Sequence, residues 1–141
     1  MATTRTANAH WEGSLMEGQG TVSLDSSGVG SFEVSWPARA EAANGKTSPE
    51  ELIAAAHSTC YSMALSHALA GAGTPPEKVD TKADVTFQPG EGITGIHLTV
   101  RASVPGLSAA DFEKAAQGAK ENCPVSKALA ATKITLDAAL A

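Results

Sequence analysis

The chain has 141 residues, the usual size of one domain, and we expect a single domain over residues 1–141. Hydrophobic residues make up 43% of it and charged residues 18%, a balance typical of folded proteins and not of disordered ones. The net charge of −5 and the absence of a basic run argue against nucleic acid and against a membrane surface as partners.

The first 36 residues predict three short strands separated by turns. Each segment is rich in β-forming residues, and Gly- and Ser-containing stretches lie between them. The three segments are residues 8–14, 20–25 and 30–36. Pro37 then ends the sheet edge, and residues 37–47 are expected to form a loop that holds Arg39, with a turn at Asn44-Gly45.

A long helix is predicted to follow. Ser48 is a good N-cap, Pro49 suits the first helical position, and Glu51 completes a capping-box pattern. The helix should extend to about Leu69 and end among the glycines and prolines of residues 71–76. Because its faces are nearly all apolar or small, we expect it to be the central, buried helix.

The second half of the chain predicts two more strands, two helices and a final strand. Residues 79–87 and 93–104 alternate apolar and polar side chains, as a sheet with one covered face requires. Ser108 caps a helix over residues 107–122, Pro124 begins another helix, and residues 133–140 form the last strand. This order predicts an α+β domain with curved antiparallel sheet around the buried central helix.

The segment from Leu52 to Pro76 carries no Asp, Glu, Lys or Arg, which raises the question of a membrane span. Its histidines, serines and glycines make it too polar for that role, and it suits a helix buried in protein. The N-terminus has no apolar core or secretory cleavage pattern, so we expect a cytoplasmic protein. In that compartment cysteines are usually free, metal-bound or redox-active.

The two cysteines, Cys60 and Cys123, are the residues with the most distinctive chemistry. Cys60 lies in the middle of the predicted helix, where apolar burial alone would raise its pKa, so a cation must come from elsewhere, with His57 and Arg39 as candidates. Pro124 makes Cys123 the expected N-cap of the next helix, where free amides stabilise a thiolate. Local physics makes Cys123 the more acidic thiol and leaves open which cysteine reacts first.

Plainer interpretations of these residues also stand. Two packed core cysteines would be ordinary, His57 could be a satisfied helix histidine, and Glu50 could be a solvated first-turn acid. Arg39 alone would be taken for a surface loop residue. A metal site is weakly supported because neither a CxxC nor an HExxH spacing occurs.

Two motifs make the chain resemble a known family. The segment "SPEELIAAAHSTCYSMALS" resembles the central-helix signature of the osmotically inducible protein C (OsmC) and organic hydroperoxide resistance (Ohr) superfamily. The segment "ENCPVSKAL" resembles the part that carries its second cysteine. Shorter matches such as "AHWEG" and "TKADV" look like the OsmC branch, and the resemblance covers nearly the whole chain in order.

The resemblance implies a thiol-dependent peroxidase that reduces organic hydroperoxides. By this match Cys60 is the peroxidatic cysteine and Cys123 the resolving one, while Arg39 stabilises the thiolate and Glu50 orients Arg39. Cys60 becomes a sulfenic acid, Cys123 condenses with it to a disulfide, and an external dithiol reduces that disulfide. No cofactor or metal is implied.

The sequence also predicts a homodimer, and the resemblance implies that its two chains are intertwined. Glu50 and Cys60 are ten residues apart, about 15 Å along one straight helix, and no Gly or Pro between them supports a break. We therefore expect Glu50, together with Arg39, to serve Cys60 of a partner chain, in agreement with the dimers of the family. Two alternatives to a peroxidase remain: a redox sensor that uses the same disulfide as a switch, and a non-catalytic small-molecule-binding stress protein.

Overall fold

A computed structural model describes residues 1–141, which divide into two compact units, Met1–Leu52 and Ile53–Ala141. The expectation of a single domain stays a prediction. The first unit contains β1 (Asn8–Glu12), β2 (Gln19–Ser23), β3 (Ser31–Val34) and α1 (Trp36–Ala40). The remaining elements are α2 (Pro49–Gly71), β4 (Lys78–Gln88), β5 (Gly92–Ser103), α3 (Ala109–Asn122), α4 (Pro124–Ala128) and β6 (Ile134–Leu140).

The three N-terminal strands form an antiparallel sheet in the order β1-β2-β3, as the turn-separated β-formers predicted. Gly20 is required on β2 because a Cβ there would lie 2.5 Å from the backbone oxygen of His10. This unit buries no apolar side chain, and several large ones lie exposed. Besides Met1, the exposed side chains are Trp11, Leu15, Met16, Val29 and Phe32.

The segment after β3 differs from the prediction, because Arg39 lies on a short helix and not in a loop. Ser35 is the N-cap of α1, and its hydroxyl accepts from the backbone N–H of Ala38 at 3.2 Å. Pro37, which was expected only to end the sheet, suits the first turn of a helix because the missing N–H has no partner to lose there. The predicted turn is present, with left-handed φ angles at Asn44 and Gly45.

Helix α2 begins and ends where the sequence predicted. The Ser48 hydroxyl accepts from the backbone N–H of Glu51 at 3.1 Å, and Pro49 is the first helical residue. The Glu51 carboxylate accepts from the Thr47 hydroxyl at 2.6 Å, so only half of the capping box forms as predicted. The helix is continuous to Gly71, and Gly73 follows with a left-handed φ of 89°.

α2 was expected to be a central, buried helix, and in the single chain only one of its faces is buried. Side chains spaced four apart, His57, Tyr61, Leu65 and Leu69, are buried. The opposite face is exposed, and it carries no charge although it faces solvent in one copy of the chain. Its exposed members are Ala55, Ala56, Thr59, Met63, His67 and Ala70.

The second sheet has the order β4-β5-β6 and differs from the prediction in one pairing. β4 and β5 are antiparallel with a bulge at Thr86/Phe87, but β6 runs parallel to β5. The reason is the connection: α3 and α4 lie between β5 and β6, and a helical crossover returns the chain in the same direction. The prediction of an all-antiparallel sheet is therefore corrected.

The hydrophobic core of the second unit lies between this sheet and the helices. β5 contributes Ile96, Leu98, Val100 and Ala102, while α3 contributes Phe112, Ala116 and Ala119. The buried Tyr61 hydroxyl donates to the backbone oxygen of Ala116 at 2.9 Å and so ties α2 to α3. No helix of the chain has the length and apolar character that crossing a membrane requires.

Candidate functional site

Arg39 and Glu50 form a two-pronged ion pair within the first unit. Arg39 Nε lies 3.0 Å from Glu50 Oε1, and Arg39 Nη2 lies 2.9 Å from Glu50 Oε2. The Glu50 side chain is only 8% exposed, whereas that of Arg39 is 30% exposed. α1 supplies the arginine and the first turn of α2 the carboxylate, so Glu50 holds the guanidinium plane in one orientation. The alternative interpretation, that Glu50 is a solvated acidic residue in the first turn of the helix, is therefore excluded.

An apolar cavity of about 280 Å³ lies beside this ion pair. Arg39 and Ser35 are the polar side chains that line it, while the other lining residues are apolar or aromatic. The apolar set is Ala9, Trp11, Leu15, Val22, Val34, Trp36, Pro49 and Leu52. A fixed positive charge at the wall of an apolar cavity suits a ligand with a polar head and a hydrocarbon body.

Cys60 and Cys123 lie together in the second unit. Their sulfurs are 3.0 Å apart and hydrogen-bonded, and both thiols are free. Cys60 is half-buried on α2, and Cys123 is fully buried at the junction where α3 ends and α4 begins. Because the two sulfurs already touch, a disulfide between them needs only a small movement of the side chains.

The two thiols differ in acidity. Burial and the hydrogen bond with Cys123 raise the pKa of Cys60, although the backbone amide of Val125 acts in the opposite direction. Burial also disfavours the Cys123 thiolate, yet the Cys60 thiol and the amide and hydroxyl of Ser126 lower the pKa of Cys123 overall. The predicted order of acidity is confirmed in direction. Its source is this set of nearby donors, since α4 has only five residues and a correspondingly small dipole.

His57 contacts Ser126 and not Cys60 through its ring nitrogens. His57 Nε2 lies 2.7 Å from Ser126 Oγ, and both side chains are buried. His57 Nδ1 has no hydrogen-bond partner. Burial lowers the pKa of His57, so it is neutral and supplies no cation for Cys60.

Sequence reasoning did not single out Ser126, whose hydroxyl contacts the ring of His57. The segment "CPVS" places Ser126 at the third helical position after the N-cap Cys123. What the sequence did not contain was the approach of His57 from another helix, 69 positions away. No group of three or more His, Cys, Asp or Glu side chains is placed to hold a metal ion.

Comparison with known proteins identifies the family of this chain. A family model described as "OsmC-like protein" matches residues 42–137. The chain is 46% identical over 132 residues to a protein named "Peroxiredoxin OsmC" from Escherichia coli strain K12, covering 92% of this chain and 91% of that protein.

Solved structures share the fold. A protein from Legionella pneumophila, described as an organic hydroperoxide resistance protein OsmC, superposes with a TM-score of 0.75 at 25% identity, over 99% of this chain and 98% of that one. An organic hydroperoxide resistance protein from Elizabethkingia anophelis superposes with a TM-score of 0.71 at 26% identity, over the whole of both chains. The mixed α+β fold with two small sheets and a central helix is thus the fold of these proteins.

Proposed function

Since the chain belongs to the OsmC family, we propose that it is a cytoplasmic thiol peroxidase that reduces organic hydroperoxides to alcohols in stress defence. The observation that carries the proposal is the pair of free thiols, Cys60 and Cys123, with sulfurs 3.0 Å apart. Packed core cysteines have no need to touch, whereas a peroxidatic and a resolving cysteine must.

The cycle has three steps. The Cys60 thiolate attacks the terminal peroxide oxygen, the O–O bond breaks, and the alkoxide leaves with a proton as an alcohol, which oxidises Cys60 to a sulfenic acid. Cys123 attacks that sulfur, an S–S bond forms, the S–O bond breaks and water leaves. An external dithiol then reduces the disulfide by exchange and is itself oxidised.

Cys60 needs a cation before it can start this cycle. Its own surroundings raise its pKa, so in an isolated chain the thiolate is disfavoured. We assign the cation to the partner's Arg39, held in place by the partner's Glu50, because α2 is continuous and about 15 Å of rise separates Glu50 from Cys60 of the same chain. A guanidinium stays charged at all working pH values and fits this role.

Two surfaces support a second copy of this chain as the partner. The first unit buries no apolar side chain, so its Trp11, Leu15 and Phe32 need covering for stability. The exposed face of α2 has no charge, and Met63 on it is 68% exposed. Uncharged faces of this kind are typical of obligate dimer interfaces.

The substrate class follows from the cavity beside Arg39. Its apolar walls would favour an alkyl or lipid-like hydroperoxide over hydrogen peroxide, whose two ends are both polar. We expect kcat/KM for a long-chain alkyl hydroperoxide to exceed that for hydrogen peroxide by about tenfold or more, on the basis of burying several methylene groups. Equal values for the two peroxides would contradict the assignment.

The deciding experiment is peptide mapping by mass spectrometry without reductant, after one equivalent of an alkyl hydroperoxide is added to the reduced protein. We expect one linked peptide pair, Cys60–Cys123, absent from Cys60→Ser. The Cys123→Ser variant should instead accumulate Cys60 sulfenic acid, trapped with a dimedone-type probe. If both thiols stay free while the peroxide persists, the peroxidase proposal is wrong and the binding-protein alternative takes its place.

A redox sensor would form the same disulfide, so turnover separates the two functions. With excess small dithiol, an enzyme consumes many equivalents of peroxide per chain, whereas a sensor stops after about one. The physiological dithiol is then found by testing lipoyl-protein, low-molecular-weight thiol and thioredoxin-like reductants under the same conditions.

A further inference from the structure

Two hydrogen bonds from α2 flank the contact between the two sulfurs. His57 Nε2 lies 2.7 Å from Ser126 Oγ, and the Tyr61 hydroxyl donates to the backbone oxygen of Ala116 at 2.9 Å. All four residues are buried, so water does not compete for these groups. In both segments the cysteine lies between the two residues that form these bonds. The cycle described above assigns no role to either hydrogen bond.

The two hydrogen bonds lie on opposite sides of a bend in the chain. Cys123 ends α3 and begins α4, and Pro124, which has no N–H, interrupts the backbone ladder at this point. A junction between two helices is a place where the chain can pivot. Ala116 lies on α3 and Ser126 on α4, so each helix is tied to α2 by one hydrogen bond. Together they fix the bend relative to α2.

The contact between the sulfurs does not by itself hold them together during the reaction. In that hydrogen bond the Cys123 thiol is the donor and the Cys60 sulfur the acceptor. In the resolving step Cys123 reacts as a thiolate and has no proton to donate, while Cys60 carries the sulfenic oxygen. The sulfur–sulfur hydrogen bond is therefore absent when the two atoms must meet, whereas the flanking bonds use neither sulfur and persist.

We propose that Tyr61 and His57 are positioning residues, whose flanking hydrogen bonds keep Cys123 within reach of Cys60 while the disulfide closes. The proposal rests on the peroxidase function proposed above. In the closing step the Cys123 thiolate attacks the Cys60 sulfenic sulfur, the S–S bond forms, the S–O bond breaks, and the hydroxide takes up a proton to become water. A misplacement of about 1 Å slows such a step by up to about 100-fold.

The test measures disulfide closure without any peroxide. A dipyridyl disulfide reacts with the Cys60 thiolate to give a mixed disulfide and one pyridinethiol. Cys123 then attacks the Cys60 sulfur, the Cys60–Cys123 bond forms, and a second pyridinethiol leaves. The absorbance of that second release gives the closing rate, which is independent of protein concentration. Since the chain has two cysteines, Cys123→Ser should release only one equivalent.

The closing rate is recorded against pH, because position and acidity affect the profile differently. The plateau at high pH reports how well the thiolate is placed, and the midpoint reports the acidity of Cys123. Tyr61→Phe keeps the ring and loses only the hydroxyl. We expect its plateau to fall by about fivefold, the effect of one lost hydrogen bond, with the midpoint unchanged. His57→Leu removes the other bond and should lower the plateau by a similar factor.

Ser62→Ala is the matched control on the same helix. The Ser62 hydroxyl donates to Thr81 Oγ1 on β4 at 2.7 Å, so its loss removes a bond from α2 to the sheet and leaves the bend untouched. We expect the plateau of the parent. A folded variant of Tyr61 or His57 that closes as fast as the parent would overturn the proposal, as would a Ser62→Ala protein that slows as much as Tyr61→Phe. Tyr61→Phe decides the question even if His57→Leu fails to fold.

Failure of this inference is distinguishable from failure of the proposed function. A protein that closes its disulfide at the expected rates with the dipyridyl reagent but does not consume alkyl hydroperoxide would refute the peroxidase and leave the positioning role standing. An active peroxidase whose Tyr61→Phe variant closes normally would refute the positioning role alone.

Discussion

At the scale of single residues, the two-pronged Arg39–Glu50 contact allows a test of the proposed activation of Cys60. Arg39→Lys keeps the charge but loses the two-pronged contact, so we expect kcat/KM for an alkyl hydroperoxide to fall by about 100-fold through misplacement of the cation. Steady-state kinetics measures this loss. A lysine variant with the activity of the parent would show that a positive charge alone is sufficient for activity and that the two-pronged contact of Arg39 with Glu50 is not needed.

The acidity of Cys60 provides a pH-dependent test of the same arginine. In a Cys123→Ser chain Cys60 is the only thiol, and its alkylation rate follows its thiolate fraction. With the partner's Arg39 present, the midpoint should lie below the ordinary cysteine value. With Arg39→Met, burial is the largest remaining influence and raises the pKa of Cys60, so the midpoint should move above that value. Identical midpoints would exclude Arg39 as the activating cation.

His57 should make the protein less stable in mild acid. Burial lowers the pKa of His57 in the folded state, so below about pH 6.5 the unfolded chain binds a proton that the folded chain resists. The free energy of unfolding is therefore highest above that pH and falls as the pH decreases. Between about pH 7.5 and about pH 5.5, the free energy of unfolding should fall by about 1 kcal/mol less for His57→Gln than for the parent, as measured by urea unfolding.

At the scale of elements, α1 carries Arg39, and loss of its N-cap hydrogen bond should destabilise this helix. Ser35→Ala removes the hydrogen bond to the Ala38 amide and should cost about 1 kcal/mol. Ser108→Ala removes an N-cap bond of the same 3.2 Å length from α3 and is the matched control. We expect the two variants to lose similar stability, but only Ser35→Ala should have lower peroxidase activity. Equal activities of the two variants would show that α1 does not contribute to the site.

The elements also show which structural features the sequence patterns predicted and which they did not. Helix ends were predictable because the caps Ser48, Ser108 and Cys123 act over a few residues. The direction of β6 was predicted wrongly, although the two helices before it contain the necessary information. The helix at Arg39 was missed because Pro37 was taken as a strand terminator when, after Ser35, it begins a helix.

At the scale of the whole molecule, mixed dimers test whether two chains share one site. Chains with Cys60→Ser and chains with Glu50→Ala should each be inactive as pure dimers. Mixed dimers combine an intact Cys60 with an intact Glu50 at one of two sites, so equal mixing should recover about a quarter of the parent activity. Cys60→Ser mixed with Cys123→Ser should stay inactive, since both cysteines of a site belong to one chain. No recovery in the first mixture would show that Glu50 does not serve Cys60 of the partner chain.

The uncharged face of α2 should be sensitive to a new charge. Met63→Glu places a carboxylate on this exposed apolar surface, and we expect a monomer by light scattering with little peroxidase activity. Ala110→Glu adds the same charge to an exposed position of α3, where charged neighbours are already present, and should leave a dimer. A dimeric Met63→Glu protein would show that this face is not the contact between copies.

The sequence alone determined the order and ends of most elements, the relative acidity of the two thiols and the family, because caps, period-two alternation and a dense helix motif are local signals. Only the tertiary structure showed that the sulfurs of Cys60 and Cys123 are in contact. It also showed that both carboxylate oxygens of Glu50 accept hydrogen bonds from Arg39, and that His57 is hydrogen-bonded to Ser126. These contacts join residues from different elements, and two of them join residues more than 60 positions apart. Local propensity acts over a few residues, so contacts of this kind are decided by the packing of elements against one another.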